Sequence, residues 1–355
     1  MNTQATMWGD DLLVRATEKF TETTGVPIQI AACEQPTATG RFFDALVYIS
    51  DGEATKAYAV EIKRNLTGAK LGLATEQLKG APYKGMLVAD YINPNMADRL
   101  KEMDLAFMDL AGNAYLNEPP VFVFIKGNRP TDTKQLGLIQ KPTRAFNSTG
   151  LKMLFGLLTK PELLQQTYRK IADETDVALG TVGWVLNDLR DHKFLFEAKG
   201  HKRRLTQRRR IVEHWVGAYP EKLRPKLLLG RYTASRHRWW EDVCLDPHQA
   251  QWGGEVAAEI LTDYLNPENV TIYADAIPAR LILEHRLQVD PKGEIEILRR
   301  FWEPDELRTN IDRSAVPPEV VPPFLIYADL IATADERNVE TARMIYDKFL
   351  SEYFG

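Results

Sequence analysis

Asp44, Glu61 and Lys63 are the residues whose types and spacing could do chemistry. Asp44 lies in the apolar run from Phe42 to Ile49, and Glu61 and Lys63 end a second run from Ala57 to Lys63. Ser50-Asp51-Gly52-Glu53 supplies turn chemistry between them. Apolar runs joined by such residues form a β-hairpin. A turn centred between Gly52 and Glu53 sets Asp44 opposite Glu61. Strand side chains alternate at period two, so Lys63 shares the face of Glu61 while Val60 and Ile62 point the other way. Two carboxylates and an ammonium converging on an otherwise buried hairpin are costly unless the charges are used. Metal-assisted phosphodiester hydrolysis uses such a set. Two carboxylates hold Mg2+ together with water, and the metal polarises the phosphate. A neighbouring lysine eases hydroxide formation and stabilises the charge of the transition state. The alternative is a hairpin whose end carries an Asp–Lys pair on a solvated face.

The surrounding elements must hold these side chains in place. A helix is predicted over Leu12–Thr23, a strand over Ile28–Ala32, and, after the hairpin, a helix over Gly68–Gly80. Met86–Asp90 and Leu105–Leu110 read as strands around a helix opened by Asn93-Pro94, and Val121–Ile125 closes the β structure. Strands alternating with helices give an α/β sandwich over residues 1–127. Asp44 followed by Glu61-Ile62-Lys63 resembles the PD-(D/E)xK motif of restriction-endonuclease-like nucleases, with Phe43 where the motif has proline. That resemblance implies Asp44 and Glu61 as metal ligands, Lys63 as a catalytic residue and Gln77 on the next helix as a site glutamine. Glu18 on the first helix is a further position that such nucleases use, the alternative being a solvent-facing glutamate.

Composition narrows the classes. The chain has 355 residues, room for two or three domains, with 44% hydrophobic residues and a net charge of −4. No global positive field draws it to nucleic acid, so any such binding comes from local patches. Cys33 and Cys244 stand far apart, and the histidines follow no metal-ligand rhythm, which excludes a disulfide framework and zinc spacing. The acidic start does not suit a signal peptide and no apolar run suits a bilayer, so a soluble, cytoplasmic protein is expected.

Residues 128–148, rich in Pro, Thr and Lys, read as a linker. Helices are then predicted over Leu151–Leu158, Thr167–Glu174 and Ala178–Arg190, followed by a hairpin from Phe194–Phe196 to Arg203–Leu205. Three helices and a basic hairpin, residues 149–210, look like a winged helix-turn-helix. The exposed face of the third helix offers Gly180, Thr181, Trp184 and Asn187 to a major groove. Lys199, Lys202, Arg203, Arg204, Arg208, Arg209 and Arg210, with His201 among them, form a patch for phosphates and a salt-dependent affinity. The third helix has no Arg or Lys before Arg190, which disfavours bidentate guanine readout and leaves Thr181, Asn187 or DNA shape to specify sequence. The alternatives are a protein-contact domain and a Trp184 buried in the core. Arg224, Lys226, Arg231, Arg236 and Arg238 form a second basic run, which either extends the footprint or is a solvated face.

Residues 211–355 read as an α+β domain, with a helix starting at Trp252-Gly253-Gly254-Glu255 and running to Tyr264, a strand over Val270–Ala274, further strands over Arg280–Leu287 and Ile295–Trp302, a helix over Phe324–Thr333 and a last helix opened by Asn338. Its segments WGGEVAAEILTDYLNPENVTIYAD (Trp252 to Asp275) and VVPPFLIYADLIATADERNVETARMIYDKFL (Val320 to Leu350) resemble the AbiEi-type antitoxins of type IV toxin–antitoxin systems. VEIKR, LVADY and MDLAGNAYL extend the resemblance upstream. It implies a winged-helix regulator of its own operon on duplex DNA, with a nucleotidyltransferase-type toxin encoded alongside and countered without a stable complex. A symmetric operator would require a homodimer. The nuclease-like domain in front departs from the short antitoxins and keeps a Mg2+-dependent deoxyribonuclease open as the other function.

Overall fold

The computed structural model describes residues 11–36, 42–50, 55–64, 66–79, 81–129, 144–197, 202–245, 249–302 and 316–351. The chain divides into two units, Met1–Lys141 and Pro142–Gly355.

The first unit runs α1 (Asp11–Thr24), β1 (Ile28–Pro36), β2 (Phe42–Ser50), β3 (Thr55–Lys63), α2 (Gly68–Lys79), β4 (Lys84–Ala89), α3 (Pro94–Glu102), β5 (Ala106–Asp109), β6 (Ala114–Glu118) and β7 (Val121–Ile125). The strands lie in one sheet in chain order. β1, β2 and β3 are antiparallel, β3, β4 and β5 parallel, and β5, β6 and β7 antiparallel. Both faces are covered, which is why the central strands carry near-continuous apolar runs. Leu12, Leu13, Ala16 and Phe20 of α1 pack on Val47, Val60, Val88 and Met108. On the other face, Leu71 and Ala74 of α2 and Ala97 and Leu100 of α3 pack on Leu87, Ala89 and Phe107. Local chemistry sets the helix ends. Gly25, at φ +72, turns the chain out of α1, and Asn93 caps α3 by accepting from the Met96 amide at 3.0 Å.

The second unit begins with a 3-10 turn at Arg144–Phe146, then α4 (Ser148–Thr159), α5 (Tyr168–Glu174), α6 (Leu179–Asp191) and a hairpin of β8 (Leu195–Phe196) with β9 (Arg204–Leu205). It continues through α7 (Arg208–Lys222), α8 (Arg224–Leu227), β10 (Leu228–Thr233), β11 (Ala250–Gly253), α9 (Gly254–Thr262), β12 (Val270–Ala274), α10 (Ala279–Glu284), β13 (Gln288–Val289) and β14 (Ile295–Arg299). α11 (Pro323–Thr333) and α12 (Glu336–Ile345) follow, the latter winding on through a π-turn to Leu350. The second sheet has the order β11-β12-β14-β10-β13.

Several expectations change. Arg280–Leu287 is expected as a strand, yet α10 occupies most of it, with the His285 amide bonded to the Leu281 carbonyl at 3.1 Å. Pro278 precedes that helix, and its missing N–H costs nothing there. Trp252 and Gly253 belong to β11, and α9 starts only at Gly254, whose φ of +51 lets the chain turn. The last helix opens at Glu336 rather than Asn338, because Asp335 caps it through the amides of Arg337 and Asn338. The expected boundary between residues 210 and 211 falls inside α7. Trp215 of that helix donates to the Leu151 carbonyl of α4 at 2.8 Å and packs on Phe155 and Phe324, so the three-helix region and the C-terminal region form one unit. The end of the expected linker also belongs to it, since the Ala145 amide donates to Asp188 of α6 at 2.9 Å. Among the described residues no helix is long and apolar enough to cross a membrane.

Candidate functional site

The β2–β3 register, from Ala45 with Val60 to Ser50 with Thr55, is that of a turn centred between Gly52 and Glu53. One step beyond the first of these pairs, an Asp44 carboxylate oxygen accepts from the Ile62 amide at 2.7 Å. Val60 and Ile62 face the α1 core, while Ala59 packs with Leu78 of α2. Alternation therefore sends Glu61 and Lys63 to the α2 side. Glu61 is 2% exposed, and Lys63 Nζ meets its Oε1 at 2.6 Å. Gln77 is buried on α2, which packs on the same strands. The hairpin thus gathers Asp44, Glu61 and Lys63 at one end. Glu18 is exposed on α1, on the other side of the sheet. Among the described residues no three His, Cys, Asp or Glu side chains come together as a metal cage. A Mg2+ would have two carboxylates, Asp44 and Glu61, and water to complete its shell, a sparse set that this hard, hydrated ion accepts.

In the second unit, Val182, Val185, Leu186 and Leu189 bury one side of α6. The other side carries Gly180, Trp184 and Asn187, all exposed, and the half-buried Thr181. Trp184 is 59% exposed, so the reading of it as core does not hold. The Arg144 guanidinium sits 4.9 Å from its ring centre. Asn187 accepts from Arg190 at 2.7 Å, and Arg190 also pairs with Glu197, whose carboxylate raises the guanidinium pKa further.

The basic residues of the hairpin divide. Lys199 and His201 lie outside the described residues. Arg203 is turned inward: it donates to the Gln166 carbonyl at 2.8 Å, nears Glu197 at 3.8 Å and lies over the Tyr168 ring at 5.7 Å. It fastens the hairpin to the helices. Lys202, Arg204 and Arg208 are exposed, with no acidic partner among the described residues, and Arg204 lies over Phe196 at 5.0 Å. Arg209 pairs with Glu213 at 3.0 Å, and Arg210 donates to Gln207 at 3.3 Å. Arg208, Arg209 and Arg210 fill the first turn of α7, which carries no acidic residue. Cations at a helix N-terminus oppose the macrodipole.

The arginines of the second basic run are neutralised. Arg224 pairs with Asp329 at 3.0 Å and Glu296 at 2.5 Å, Arg231 with Glu296, Arg236 with Asp242 at 2.6 Å, and Arg238 with Glu241 and Glu259. Lys226 donates to Ser148 at 2.8 Å. Asp329, buried on α11, also accepts from Tyr273 at 2.9 Å and Tyr219 at 3.2 Å. Burial pushes its carboxyl pKa up, opposed by Arg224 and the two hydroxyls. This is a structural network that ties α7 and α8 to the sheet and to α11.

The sequence reading missed Arg144, Tyr168 and Phe196, the partners in these cation–ring pairs. Arg144 lies far upstream of Trp184, in what reads as a linker, and no local pattern announces the pairing.

No curated protein and no solved structure matches the chain significantly. A family model described as "Transcriptional regulator, AbiEi antitoxin, Type IV TA system" matches residues 204–351. The match takes in both segments that carry the resemblance but does not reach VEIKR, LVADY or MDLAGNAYL, nor the helices α4–α6. The part of the chain from β9 to the π-turn after α12 is thus similar to the AbiEi antitoxin family of transcriptional regulators.

Proposed function

We propose that this chain is a DNA-binding transcriptional regulator of the antitoxin type, in which α4–α6 and the β8–β9 hairpin act as a winged helix-turn-helix on duplex DNA. The observation that carries this reading is the contrast between the two basic runs. Arg224, Arg231, Arg236 and Arg238 are matched by acids, whereas Lys202, Arg204 and Arg208 stand exposed with no acidic partner among the described residues. Three arginines in the first turn of α7 make sense beside phosphates, which that end of a helix attracts. A nucleotidyltransferase-type toxin encoded alongside, countered without a stable complex, is the partner this reading implies. Two copies on a symmetric operator would complete it. The test is a fluorescence-anisotropy salt titration on duplex DNA from upstream of the gene. Affinity should fall steeply with salt. The triple variant Lys202→Ala, Arg204→Ala, Arg208→Ala should bind more weakly, with a log–log slope shallower by about 0.9 for each phosphate left unneutralised. Absence of binding at low salt would overturn the reading.

A second reading rests on the first unit. Burying an ion pair costs several kcal/mol of desolvation that its attraction only roughly recovers, so the Glu61–Lys63 pair has no evident reason in stability alone. We infer a Mg2+-dependent deoxyribonuclease site in which Asp44 and Glu61 hold the ion. Lys63 steadies the charge on the phosphate, and Gln77 borders the site. Bound Mg2+ would supply Lewis acidity. Supercoiled plasmid incubated with Mg2+ or Mn2+ should be nicked by the native protein and left intact by Asp44→Ala and Lys63→Ala. Cleavage that survives both substitutions, or no cleavage by the native protein, removes this reading.

A further inference from the structure

We infer, on the basis of the DNA-binding reading above, that Trp184 is a specificity-determining residue that reads the 5-methyl group of thymine in the major groove. The preferred duplex then carries A·T pairs where α6 docks. The inference begins with what α6 withholds. Its outward positions between Leu179 and Asn187 carry no charge. The one arginine on the helix, Arg190, is held by Glu197 and by the Asn187 side chain, which keeps it from pairing with guanine and engages the amide otherwise suited to adenine. Asp188 faces inward and accepts from the Ala145 amide. Hydrogen-bond readout is therefore confined to Thr181.

The same face offers apolar surface instead. Leu179 is 50% exposed and Trp184 59%, although the second unit has a large core in which such side chains bury well. A Cβ built on Gly180 would meet nothing within 4 Å, so the helix surface one turn before Trp184 is low and open to a base edge. Thymine is the one base that presents a methyl group to the major groove. The partner is fixed by charge: Arg144 lies over the indole at 4.9 Å, and Arg204 and Lys202 stand exposed on the hairpin, a setting suited to a polyanion. An aromatic edge with a guanidinium against its ring fits a groove floor between two phosphate chains.

The test uses the full chain and four synthetic duplexes of one length: alternating dA-dT, alternating dA-dU, alternating dG-dC, and alternating dG with 5-methyl-dC. The second lacks only the thymine methyl and the fourth adds a methyl at the equivalent groove position. Anisotropy at fixed salt should show tighter binding to dA-dT than to dA-dU, by about fourfold for each methyl buried, and to the methylated than to the plain dG-dC duplex. Trp184→Ala should erase both differences while keeping salt-dependent binding, and Trp184→Phe should retain part of them. Circular dichroism should show both variants folded, as befits an exposed position. Equal affinity of the native protein for dA-dT and dA-dU, with salt dependence intact, overturns this inference alone. A uniform loss across all four duplexes in Trp184→Ala also overturns it, since Trp184 would then bind without reading. No binding to any duplex at low salt removes the DNA-binding reading as well.

Discussion

Asp109 and Glu255 show what a buried carboxylate does in this chain when it has no chemistry to perform. Asp109 is fully buried, and its two oxygens accept from the amides of Ile92, Ala111 and Asn113 and from the Asn113 side chain, at 2.8 to 2.9 Å. Glu255 accepts from the amides of Glu268 and Asn269 and from the side chains of Asn269 and Asn338. In each, both oxygens meet only donors in these bonds. Asp109→Asn or Glu255→Gln would turn an amide N–H toward a donor and should cost about 2–4 kcal/mol of its unit's stability, measurable by chemical denaturation. Asp104 is exposed and behaves differently. Donation from Tyr115 at 2.7 Å and Asn117 at 3.0 Å holds its carboxyl below the ordinary range. A depressed folded-state value means stability present above the unfolded carboxylate pKa, about 3.9, and lost as pH falls through the folded value. Asp104→Asn should flatten that part of the acid limb in the first unit. At this scale the sequence is informative about identity and weak about direction. Glu61, Lys63 and Asp44 could be placed on one face from alternation alone. That Arg203 turns inward while Arg204 turns out could not, because their difference depends on Gln166, Glu197 and Tyr168, which only folding brings near.

At the scale of elements, the hairpin register and the three helices of the second unit were legible because strong periodicity and strong turn residues agreed. Ala45 with Val60, the α6 core of Val182, Val185, Leu186 and Leu189, and β12 at Val270–Ala274 all follow from pattern. α10 was not legible. Ala279–Glu284 is a short apolar run in which only Leu281 is buried and Leu283 is 77% exposed, so neither period emerges. β10 was hidden by its own charge and glycine, since Arg231 belongs to an ion pair with Glu296 and Gly230 interrupts the strand pattern. Gly150 yields a prediction that belongs here. A Cβ at that position would lie 2.4 Å from the Ala145 carbonyl oxygen, because the start of α4 presses against the 3-10 turn that carries Arg144. Gly150→Ala should destabilise the second unit by about 1–3 kcal/mol. It should also weaken duplex binding by displacing Arg144, a combination that thermal melts and anisotropy would report together.

At the scale of the whole molecule, the two units have separate cores, the first built on both faces of one sheet and the second around Trp215, Phe155 and Phe324. Calorimetry should therefore resolve two transitions: Asp109→Asn should lower one and Trp215→Ala the other, the latter by about 3–5 kcal/mol. The sequence suggests divisions near residues 127 and 210; the two units divide at Lys141 and Pro142, and residue 210 lies inside α7. The reason is α7. A charge run followed by an apolar stretch looks like a boundary, and here it is a single helix passing from surface to core. That helix, about 20 Å long, has Arg208–Arg210 at one end and Tyr219, beside the Arg224–Asp329 network, at the other. Heredity follows from this. A recombination that replaced the C-terminal region from β9 onward would carry those arginines with it, and one that replaced the three helices alone would leave them behind. On the DNA-binding reading proposed above, lineages that exchange α4–α6 would acquire a new reading head while keeping the same electrostatic grip.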